Sequence, residues 1–328
     1  MQPCLTIVIP SHNRADLLRR CLASVRRHAP ADTQILVVDD ASPNHAVTRT
    51  AQAFAGVSLL RFERRHGFCA AVNAGIRAAQ HPLVELLNDD TEVTAGWAEA
   101  ALAHFVDPRI AAVAPLVLRG APGEREASAP CWIDSAGDRY FLGGIAGKRG
   151  HGRHLDARYL PGGEVFGASA SSAFYRREAL LDVGAFPEEF GAYFEDVDVA
   201  FRLHWAGHRI VYEPASRVWH RVSASHGRPT RRLLEQQSRN EERVFWRNLP
   251  SRDLLRALPW HAAVLAAKFY RRWQDGELLP FLFGRLRAFS EIVDIVRHRR
   301  RLRRGNERAS AAAWGVETRF WDTSEPRP

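Results

Sequence analysis

Three carboxylates stand within four positions of the chain, in the stretch YFEDVDVAFR at residues 193–202. If the stretch is helical, Glu195 and Asp198 share a face at i, i+3 spacing, and Asp196 points elsewhere. An acidic first turn is one interpretation, because the helix dipole favours carboxylates there. Proton transfer is the other, because apolar neighbours such as Tyr193 desolvate a carboxylate and raise its pKa.

A second acidic pair, Asp89 and Asp90, follows an apolar run in the stretch LLNDDTEV at residues 86–93. Adjacent carboxylates repel each other unless a cation or hydrogen-bond donors hold them, and hard divalent cations prefer carboxylate oxygen. Mg²⁺ and Mn²⁺ commonly use one or two protein carboxylates and complete their coordination with phosphate oxygens. His220, in SRVWH, is a further candidate ligand if the fold brings it near Asp90, and otherwise an ordinary surface or core histidine.

Elements that could position these residues alternate through the first hundred positions. The predicted strands are 5–10, 34–40, 57–62 and 83–89, and the predicted helices are 14–28, 45–54 and 68–80. This alternation predicts a parallel sheet covered by helices on both faces. Ligands bind beyond the carboxyl ends of such strands, where the sequence places PSHNR, DDAS, RHGFCAAVNAG and NDDTE. For each of these stretches, ordinary turn and cap chemistry is the alternative.

The bulk composition excludes several classes of protein. The 328 residues are 46% hydrophobic and 25% charged, which is typical of a globular rather than a disordered chain. The four cysteines are scattered without a CxxC pair, which argues against a thiolate zinc site and suits a reducing compartment. The sequence shows neither a secretory leader nor an uninterrupted apolar run of about 18 residues. We therefore expect a cytoplasmic protein.

The middle of the chain has little periodicity. Residues 118–164 are rich in Gly, Arg, His and Pro, and we expect a long, partly mobile loop region on the substrate side. Beyond it, a run with small residues predicts a strand, and residues 177–183 predict a short helix that ends before Gly184.

The C-terminal third carries the basic charge. From residue 221 onward there are 23 Lys and Arg against 12 Asp and Glu, whereas residues 1–220 hold 23 against 25. Pro259 and Pro280 are predicted in the first turns of two helices. In the second helix an apolar stripe runs through Leu282, Leu286, Phe289, Val293 and Val296, and the stretch RHRRRLRR follows at 297–304.

This stripe has two interpretations. Apolar stripes usually face a protein core, so the helical pair would pack on the preceding domain. Alternatively, an amphipathic helix beside a polybasic segment binds an anionic membrane surface. We do not expect nucleic acid as a partner, because no aromatic stacking pattern interleaves with the arginines.

Seven motifs, taken in order, carry a resemblance to a known family. They are TIVIPSHNR, VVDDAS, HGFCAAVNAGI, LLNDDTEV, GASASSAFYRREALLDVGAFPEEF, YFEDVDVAFRLHWAGHRI and VWH, within residues 5–220. Their order and spacing resemble family 2 glycosyltransferases of the GT-A fold, close in pattern to bacterial rhamnosyltransferase-type members. The resemblance implies an α/β fold with a Rossmann-like, mainly parallel central sheet and helices on both faces. We accordingly predict a nucleotide-sugar-binding and catalytic domain at 1–222 and a basic, mostly helical C-terminal extension at 223–328.

The resemblance also implies contacts to a nucleotide-sugar donor and a metal ion. Eight residues would contact the donor: Pro10, Asn13 and Arg14 after the first strand, Asp39 and Asp40 at the pyrimidine and ribose, Gly67 and Asn73 near the base and diphosphate, and Asp89 in the DXD-type motif. In that motif Asn88 replaces the first Asp of the family and leaves one fewer charged ligand. Asp90 would bind a divalent cation, Mg²⁺ or Mn²⁺, with His220 as an additional ligand.

The acidic stretch at 193–202 matches the position of the family's catalytic base. An inverting transferase needs one carboxylate to take the proton of the attacking hydroxyl. The resemblance implies that Asp196 is this base and that Glu195 is a neighbour that binds acceptor. Asp198 and Arg202 are then interpreted as structural residues paired at i, i+4.

The function implied is an inverting, metal-dependent glycosyltransferase that takes a sugar from a UDP- or dTDP-linked donor. The acceptor would be a hydroxyl of a glycan or lipid-linked glycan in cell-surface polysaccharide synthesis, with the enzyme peripheral at the inner membrane face. No QxxRW motif of processive synthases is present, which favours addition of single sugars. A catalytically inactive GT-A scaffold at the membrane is one alternative. A nucleotidyltransferase is another, but it usually has a Gly-rich phosphate loop, which PSHNR is not.

Overall fold

A computed structural model of the chain describes residues 5–123, 131–221, 230–303 and 309–318. The strands are β1 Leu5–Ser11, β2 Gln34–Asp39, β3 Val57–Arg61, β4 Leu83–Leu87, β5 Thr91–Val93, β6 Ile110–Arg119, β7 Ile133–Ser135, β8 Asp138–Phe141, β9 Ile145–Lys148, β10 Gly163–Glu164, β11 Ser172–Arg176 and β12 Arg209–His220. All except the β8–β9 hairpin belong to one sheet, with the order β10-β12-β6-β11-β4-β1-β2-β3. Short strands β5 and β7 are added at β12 and β6.

The first four strands form the parallel unit that the sequence predicts. β1 pairs with β2 and β4, and β2 pairs with β3, all in parallel. β11 then runs antiparallel between β4 and β6, and β12 is again parallel to β6. The predicted fold class, a Rossmann-like sheet with helices on both faces and a C-terminal helical extension, is confirmed.

Helices cover both faces of this sheet. The helices that the structure describes are α1 Ala15–His28, α2 Ala46–Gln52, α3 Phe68–Ala78, α4 Trp97–Leu102, α5 Arg177–Asp182, α6 Glu195–Trp205, α7 Arg231–Asn248, α8 Ser251–Gln274, α9 Leu278–Ser290 and α10 Ile292–Arg303. Successive side chains of a strand point to opposite faces. Ile7 accordingly packs in one core cluster with Leu22 of α1, and Val8 packs in another with Val72 of α3.

The expectation of a long loop region at residues 118–164 is largely wrong for the residues of this range that the structure describes. It contains the end of β6, the strand β7, the β8–β9 hairpin, a short 3-10 helix at Ala157–Tyr159, and β10. These elements are two to four residues long apart from β6, too short for hydrophobic periodicity to reveal them. Within this region β7 and β10 belong to the main sheet, whereas β8 and β9 form a separate hairpin.

The two C-terminal prolines differ in their positions. Pro280 is the third residue of α9, in the first turn as predicted. Pro259 lies inside α8, which begins eight residues earlier at Ser251, so its predicted first-turn position is wrong. A proline in a helix interior lacks the N–H that would donate to residue i−4, here Leu255. The helix continues past it to Gln274.

The C-terminal helices pack on the sheet domain with a different face from the predicted stripe. On α9, Phe281, Gly284 and Ala288 are buried, whereas Leu286 and Phe289 of the stripe are 64% and 49% exposed. The helical pair therefore packs on its neighbours, but this stripe does not mediate the packing. The predicted domain boundary between residues 222 and 223, and residue 304 of the polybasic stretch, lie outside the described residues.

Candidate active site

The carboxyl ends of β1, β2 and β4 meet at one edge of the sheet. Ser11, the last residue of β1, is in register with Asp39, the last residue of β2. The Ser11 hydroxyl donates a hydrogen bond of 2.6 Å to Asp89 Oδ2, just beyond β4. Polar residues from separate strand ends therefore converge on one place, as the sequence predicts.

Arg14, at the start of α1, reaches both carboxylates of the acidic pair. Its Nη1 lies 3.0 Å from Asp90 Oδ2 and 3.6 Å from Asp89 Oδ1. Burial raises the pKa of Asp89 to about 7, although the hydrogen bond from Ser11 opposes the shift. One guanidinium thus serves two adjacent carboxylates while its side chain stays 33% exposed.

His220 comes to the same edge at the end of β12, because it pairs with Thr91 across the β12–β5 ladder. Its Nε2 lies 3.2 Å from Asp90 Oδ1. That oxygen is buried, and apart from this contact with His220 it accepts no hydrogen bond from any described residue. The structure therefore brings together the two residues that the resemblance proposes as metal ligands, although they are far apart in the chain.

Asp134 of β7, which sequence analysis missed, orients His220. Its Oδ2 lies 3.0 Å from His220 Nδ1, and Lys148 donates to the same oxygen at 2.8 Å. Burial lowers the pKa of His220, but the contacts with Asp134 and Asp90 outweigh it and raise the pKa to about 9. A carboxylate on one ring nitrogen fixes the direction of the other, so Nε2 faces Asp90. In the sequence, Asp134 is marked only as an acidic residue in a stretch that shows no strand periodicity.

The donor set of Asp90 and His220 fits a divalent cation. The carboxylate oxygen of Asp90 that faces the imidazole nitrogen of His220 has no other hydrogen-bond partner among the described residues. Both ligand types occur around Mn²⁺ and related ions. The described residues contain no group of three or more His, Cys, Asp and Glu side chains that could hold a metal ion. Two protein ligands leave positions for phosphate oxygens and water, the usual arrangement for a cation that binds with a nucleotide.

Asp39 and Asp40, the predicted contacts to the pyrimidine and ribose, both hold loops at this edge. The Asp39 carboxylate is fully buried and pairs with Arg61. The Asp40 carboxylate accepts the backbone N–H groups of His66 at 2.7 Å and Gly67 at 2.9 Å. These bonds define the loop before α3. Direct contact of either aspartate with a nucleotide stays a prediction.

The other predicted donor contacts lie around this edge in different settings. Pro10 is buried in β1, and Asn13 is exposed with a left-handed φ of 57°. Asn73 is buried in α3, where its carboxamide accepts the N–H of Phe186 at 2.9 Å and donates to the carbonyl of that residue at 2.8 Å. Asn73 therefore fastens α3 to the segment before α6, and its nearness to the base or diphosphate stays a prediction.

The acidic stretch starts α6 at Glu195. Tyr193 and Phe194 before it have left-handed φ values of 69° and 66°, which residues other than glycine adopt rarely and mostly where surrounding structure imposes them. Asp196 Oδ2 accepts the N–H of Ala170 at 3.2 Å, and burial raises the pKa of this carboxylate. The backbone thus orients Asp196, and burial makes it a stronger proton acceptor than an exposed aspartate.

Glu195 and Asp138 complete a buried acidic cluster around Asp196. Glu195 Oε2 has no hydrogen-bond partner among the described residues. Burial first, and the charge of Asp196 second, raise the pKa of both Glu195 and Asp138 well above the usual values. Asp138 belongs to β8, in the region taken for a loop, so sequence analysis missed it too.

Asp198, two residues along α6, has cationic partners. Its Oδ2 accepts from Arg202 Nε at 2.7 Å, which is the predicted i, i+4 pair. Its Oδ1 lies 2.9 Å from Arg247 Nε and 2.7 Å from Asn248 Nδ2, both of α7. Burial alone would raise the pKa of Asp198, but Arg247 and Arg202 hold it below the usual range. Asp198 therefore joins α6 to the C-terminal helices.

Comparison with protein families agrees with this geometry. Residues 6–184 match the family model described as "Glycosyl transferase family 2". The chain belongs to glycosyl transferase family 2. The matched range contains the β1–β4 unit and Asp90, and it ends before α6 and β12. The resemblance drawn from the motifs is confirmed, and so is the prediction of a glycosyltransferase enzyme.

Two relatives carry glycosyltransferase names. The chain is 33% identical over 220 residues to the pre-mycofactocin glycosyltransferase of Mycobacterium tuberculosis H37Rv, covering 66% of this chain and 42% of the relative. It is 29% identical over 249 residues to the N-acetylglucosaminyl-diphospho-decaprenol L-rhamnosyltransferase of the same strain, covering 70% and 79%. The chain thus matches less than half the length of the first relative.

A solved structure shares the fold. The crystal structure of GalNAc-T7 with UDP, GalNAc and Mn²⁺ superimposes with a TM-score of 0.59 at 18% identity, covering 89% of this chain and 58% of that one. At this identity the likeness concerns the fold, and it agrees with the predicted GT-A class.

Proposed function

We propose that this family 2 chain is an inverting, metal-dependent glycosyltransferase. It moves one sugar from a UDP- or dTDP-linked donor to a hydroxyl of a glycan or lipid-linked acceptor in cell-surface polysaccharide synthesis. The observation that carries the proposal is the pair of Asp90 and His220, whose facing atoms lie 3.2 Å apart beside Arg14. This arrangement offers a carboxylate, an imidazole and a cationic side chain where a nucleoside diphosphate and a metal ion would meet.

The donor is assigned to the edge formed by β1, β2 and β4. The proposed contacts are Pro10, Asn13, Arg14, Asp39, Asp40, Gly67, Asn73 and Asp89. Arg14 has the clearest role, because its partly exposed guanidinium can bind diphosphate oxygens as well as the two carboxylates. Asp89 is held by Ser11 and would interact with the donor through its remaining oxygen.

The divalent cation, Mg²⁺ or Mn²⁺, is assigned to Asp90 Oδ1 and His220 Nε2. When bound, it neutralises the charge that develops on the departing nucleoside diphosphate. Asp134 acts through His220: it accepts from Nδ1 and so keeps Nε2 directed at the cation site. Lys148 in turn holds the same oxygen of Asp134. Because two protein ligands are few, cation and nucleotide are expected to bind together.

Asp196 is assigned as the base that takes the proton of the acceptor hydroxyl while that oxygen attacks the anomeric carbon. Its position at the first turn of α6 is set by the N–H of Ala170, and burial raises its pKa toward the range useful for proton transfer. Glu195, whose Oε2 has no partner among the described residues, is assigned to acceptor binding.

The relatives support these assignments. The name of the M. tuberculosis rhamnosyltransferase specifies an acceptor linked to decaprenol through a diphosphate, which favours a lipid-linked acceptor for this chain. The GalNAc-T7 complex contains UDP and Mn²⁺, which favours a nucleoside diphosphate donor with a divalent cation. We place the enzyme in the cytoplasm at the inner membrane face, where such an acceptor is presented.

Calorimetric titration of the purified chain with UDP and with dTDP tests the donor and cation assignments. In Mn²⁺ or Mg²⁺ one of the two nucleotides should bind, and chelator should abolish binding. Asp90→Asn should weaken binding about 100-fold, because it removes the charge of one ligand. Asp107→Asn, a change on the surface near β6, is the matched control and should bind as the unaltered chain does. No binding of either nucleotide under any metal condition would overturn the proposal.

An inactive GT-A scaffold is the second candidate. The joint presence of Asp90, His220 and Asp196 in the geometry above disfavours it, because a scaffold needs none of them. Unchanged cellular function of an Asp196→Asn variant would favour the scaffold.

A further inference from the structure

Helices α8, α9 and α10 present apolar side chains to solvent. Thirteen of the seventeen large hydrophobic side chains that are exposed among the described residues belong to these three helices. On α9, Leu279, Phe283 and Leu286 follow at spacings of four and three residues and are 62%, 57% and 64% exposed. We call the exposed apolar side chains of these helices the α8–α10 face. So much exposed apolar surface on one part of a chain marks an interaction site.

The packing of α9 fixes the direction of this face. Phe281, Gly284 and Ala288, on the opposite side of the helix, are buried. A Cβ atom on Gly284 would lie only 2.4 Å from the carbonyl oxygen of Glu235 in α7, so the two backbones are in direct contact. A rotation of α9 that buried Leu286 would have to bring a side chain into this contact. The outward face is therefore a consequence of the helix packing.

The same helices are strongly basic. Residues 251–303 hold 12 Lys and Arg against five Asp and Glu. On α10, Arg300 and Arg301 are exposed and follow Val296 of the α8–α10 face. Arg300 follows Val296 by four residues, so an apolar and a cationic side chain share this face of α10. Such a face complements a layer that is negatively charged outside and apolar beneath.

We propose that the α8–α10 face docks the protein on an anionic lipid bilayer. Apolar side chains enter the headgroup boundary and arginines contact lipid phosphates, as in helices that lie in the membrane interface. Trp273 of α8, which is 62% exposed, belongs to the residue type that is enriched at this boundary. Among the described helices, none combines the length and the apolar character needed to cross a bilayer.

Docking would also orient the active site. Helix α9 packs on α7, and Arg247 and Asn248 of α7 hold Asp198 in the first turn of α6. Asp196 lies two residues from Asp198, so the face and the proposed base belong to one packed unit. This step rests on the proposed function, because it requires an acceptor presented at the membrane.

Sedimentation of the 328-residue chain with lipid vesicles tests the docking. The probes are vesicles of phosphatidylcholine alone and of phosphatidylcholine mixed with phosphatidylglycerol. The protein should sediment with the mixed vesicles and much less with phosphatidylcholine, and added salt should weaken the binding because it screens the charges. Equal binding to both vesicle types, or none, would overturn the proposal.

Two double variants separate the apolar and cationic contributions. Phe283→Ser with Leu286→Ser should weaken vesicle binding at least roughly tenfold, because two exposed apolar side chains no longer enter the interface. Arg300→Ala with Arg301→Ala should weaken it by roughly fivefold per charge. Val106→Ser with Leu160→Ser, two exposed apolar residues outside the C-terminal helices, is the matched control and should change nothing.

Two further measurements distinguish docking on lipid from coverage of the face by a second copy, and from failure of the proposed function. Light scattering gives the mass of the chain without lipid: a dimer that Phe283→Ser with Leu286→Ser dissociates would show that a second copy covers the face, and would overturn docking on lipid. Nucleotide titration of the same variants should match the unaltered chain. Vesicle binding needs no donor, so failure of the donor titration would refute the proposed function and leave the membrane result intact.

Discussion

Asp196 and Asp198 lie two residues apart in the first turn of α6, in opposite electrostatic surroundings. Arg202 and Arg247 flank Asp198, and its pKa lies below the usual range. Asp196 accepts backbone N–H groups but forms no ion pair with another described residue, and burial raises its pKa. A buried carboxylate between guanidinium groups stays an anion, whereas one without a cation takes up a proton more readily. One helix turn can therefore hold a structural acid and a proton acceptor.

The edge at the carboxyl ends of β1, β2 and β4 shows a third arrangement. Asp90 contacts both Arg14 and His220, and apart from His220 its Oδ1 has no hydrogen-bond partner among the described residues. Its charge is compensated, as for Asp198, but one oxygen keeps its bonding capacity, as in Glu195. A carboxylate oxygen that is free to bind is what a hard divalent cation requires of its ligand.

Asp196→Asn should show the largest effect. Turnover, measured as release of nucleoside diphosphate from the donor found by titration, should fall about 10²–10⁴-fold, because an amide cannot take the proton of the acceptor. Nucleotide affinity in Mn²⁺ should stay unchanged. Asp182→Asn, on an exposed position of α5, is the control. Equal turnover of the two variants would remove Asp196 from the mechanism.

Asp198→Asn should affect stability instead. Breaking this buried ion pair leaves Arg202 without its carboxylate and Arg247 with Glu189 alone, so the free energy of unfolding should drop by about 3–5 kcal/mol. Urea denaturation followed by circular dichroism measures it. Asp196→Asn is the comparison and should lose far less, since it has no ion pair with another described residue. Similar losses for both variants would show that the contrast between the two aspartates has no energetic basis.

Asp134→Asn tests the positioning of His220. The neutral amide is a weaker acceptor for the Nδ1 hydrogen of His220. Mn²⁺ affinity in the presence of the nucleotide should therefore fall about 10-fold, and at most about 100-fold, the range found for residues that orient a metal ligand. The loss of the ion pair with Lys148 lowers the thermal midpoint of unfolding. Circular dichroism should nevertheless show a folded chain at the temperature of the titration, so that the lower Mn²⁺ affinity reports on His220 and not on unfolding. Asp156→Asn, on a half-exposed acid of the same region, is the control. Unaltered Mn²⁺ affinity would contradict the positioning role.

Lys148→Met should give the smallest effect, on the pH dependence of turnover. The charge of Lys148 lowers the pKa of Asp196 and so opposes the effect of burial. Its removal should raise that pKa, and because the base must be ionised, the loss of activity at low pH should begin at a higher pH, by up to about one unit. Lys268→Met, which changes the other lysine of the chain, should leave the profile in place. A shift in the opposite direction would contradict this account of Asp196.

Much of the edge formed by the carboxyl ends of β1, β2 and β4 could be predicted from the sequence. Apolar runs with amphipathic helices between them specify β1–β4, and the polar stretches after those runs are where ligands bind in such sheets. The prediction of metal ligands needed the resemblance as well, since periodicity alone does not relate His220 to Asp90. The roles of these residues as ligands and base stay predictions that the experiments above address.

The errors have a common physical reason. The strands that contain Asp134 and Asp138 are three and four residues long, too short to show periodicity. Their positions depend on the pairing of β7 with β6 and of β8 with β9. Pro259 marks a first turn in many helices, but α8 begins earlier because its buried positions include Asp253 and Ala257 before that proline. Local sequence patterns predict neither the short strands nor the residue at which α8 begins.

The sequence by itself determined the family, the parallel sheet, and the edge at which polar residues gather, because these depend on local periodicity and on motifs of adjacent residues. Only the tertiary structure decided which carboxylate of α6 is paired, because the decisive cation, Arg247, arrives from α7. It likewise decided that Leu286 faces outward, because close contact of α9 with α7 at Gly284 sets the rotation of the helix. Charge pairing and helix rotation depend on distances between segments far apart in the chain, and these distances exist only once the chain is folded.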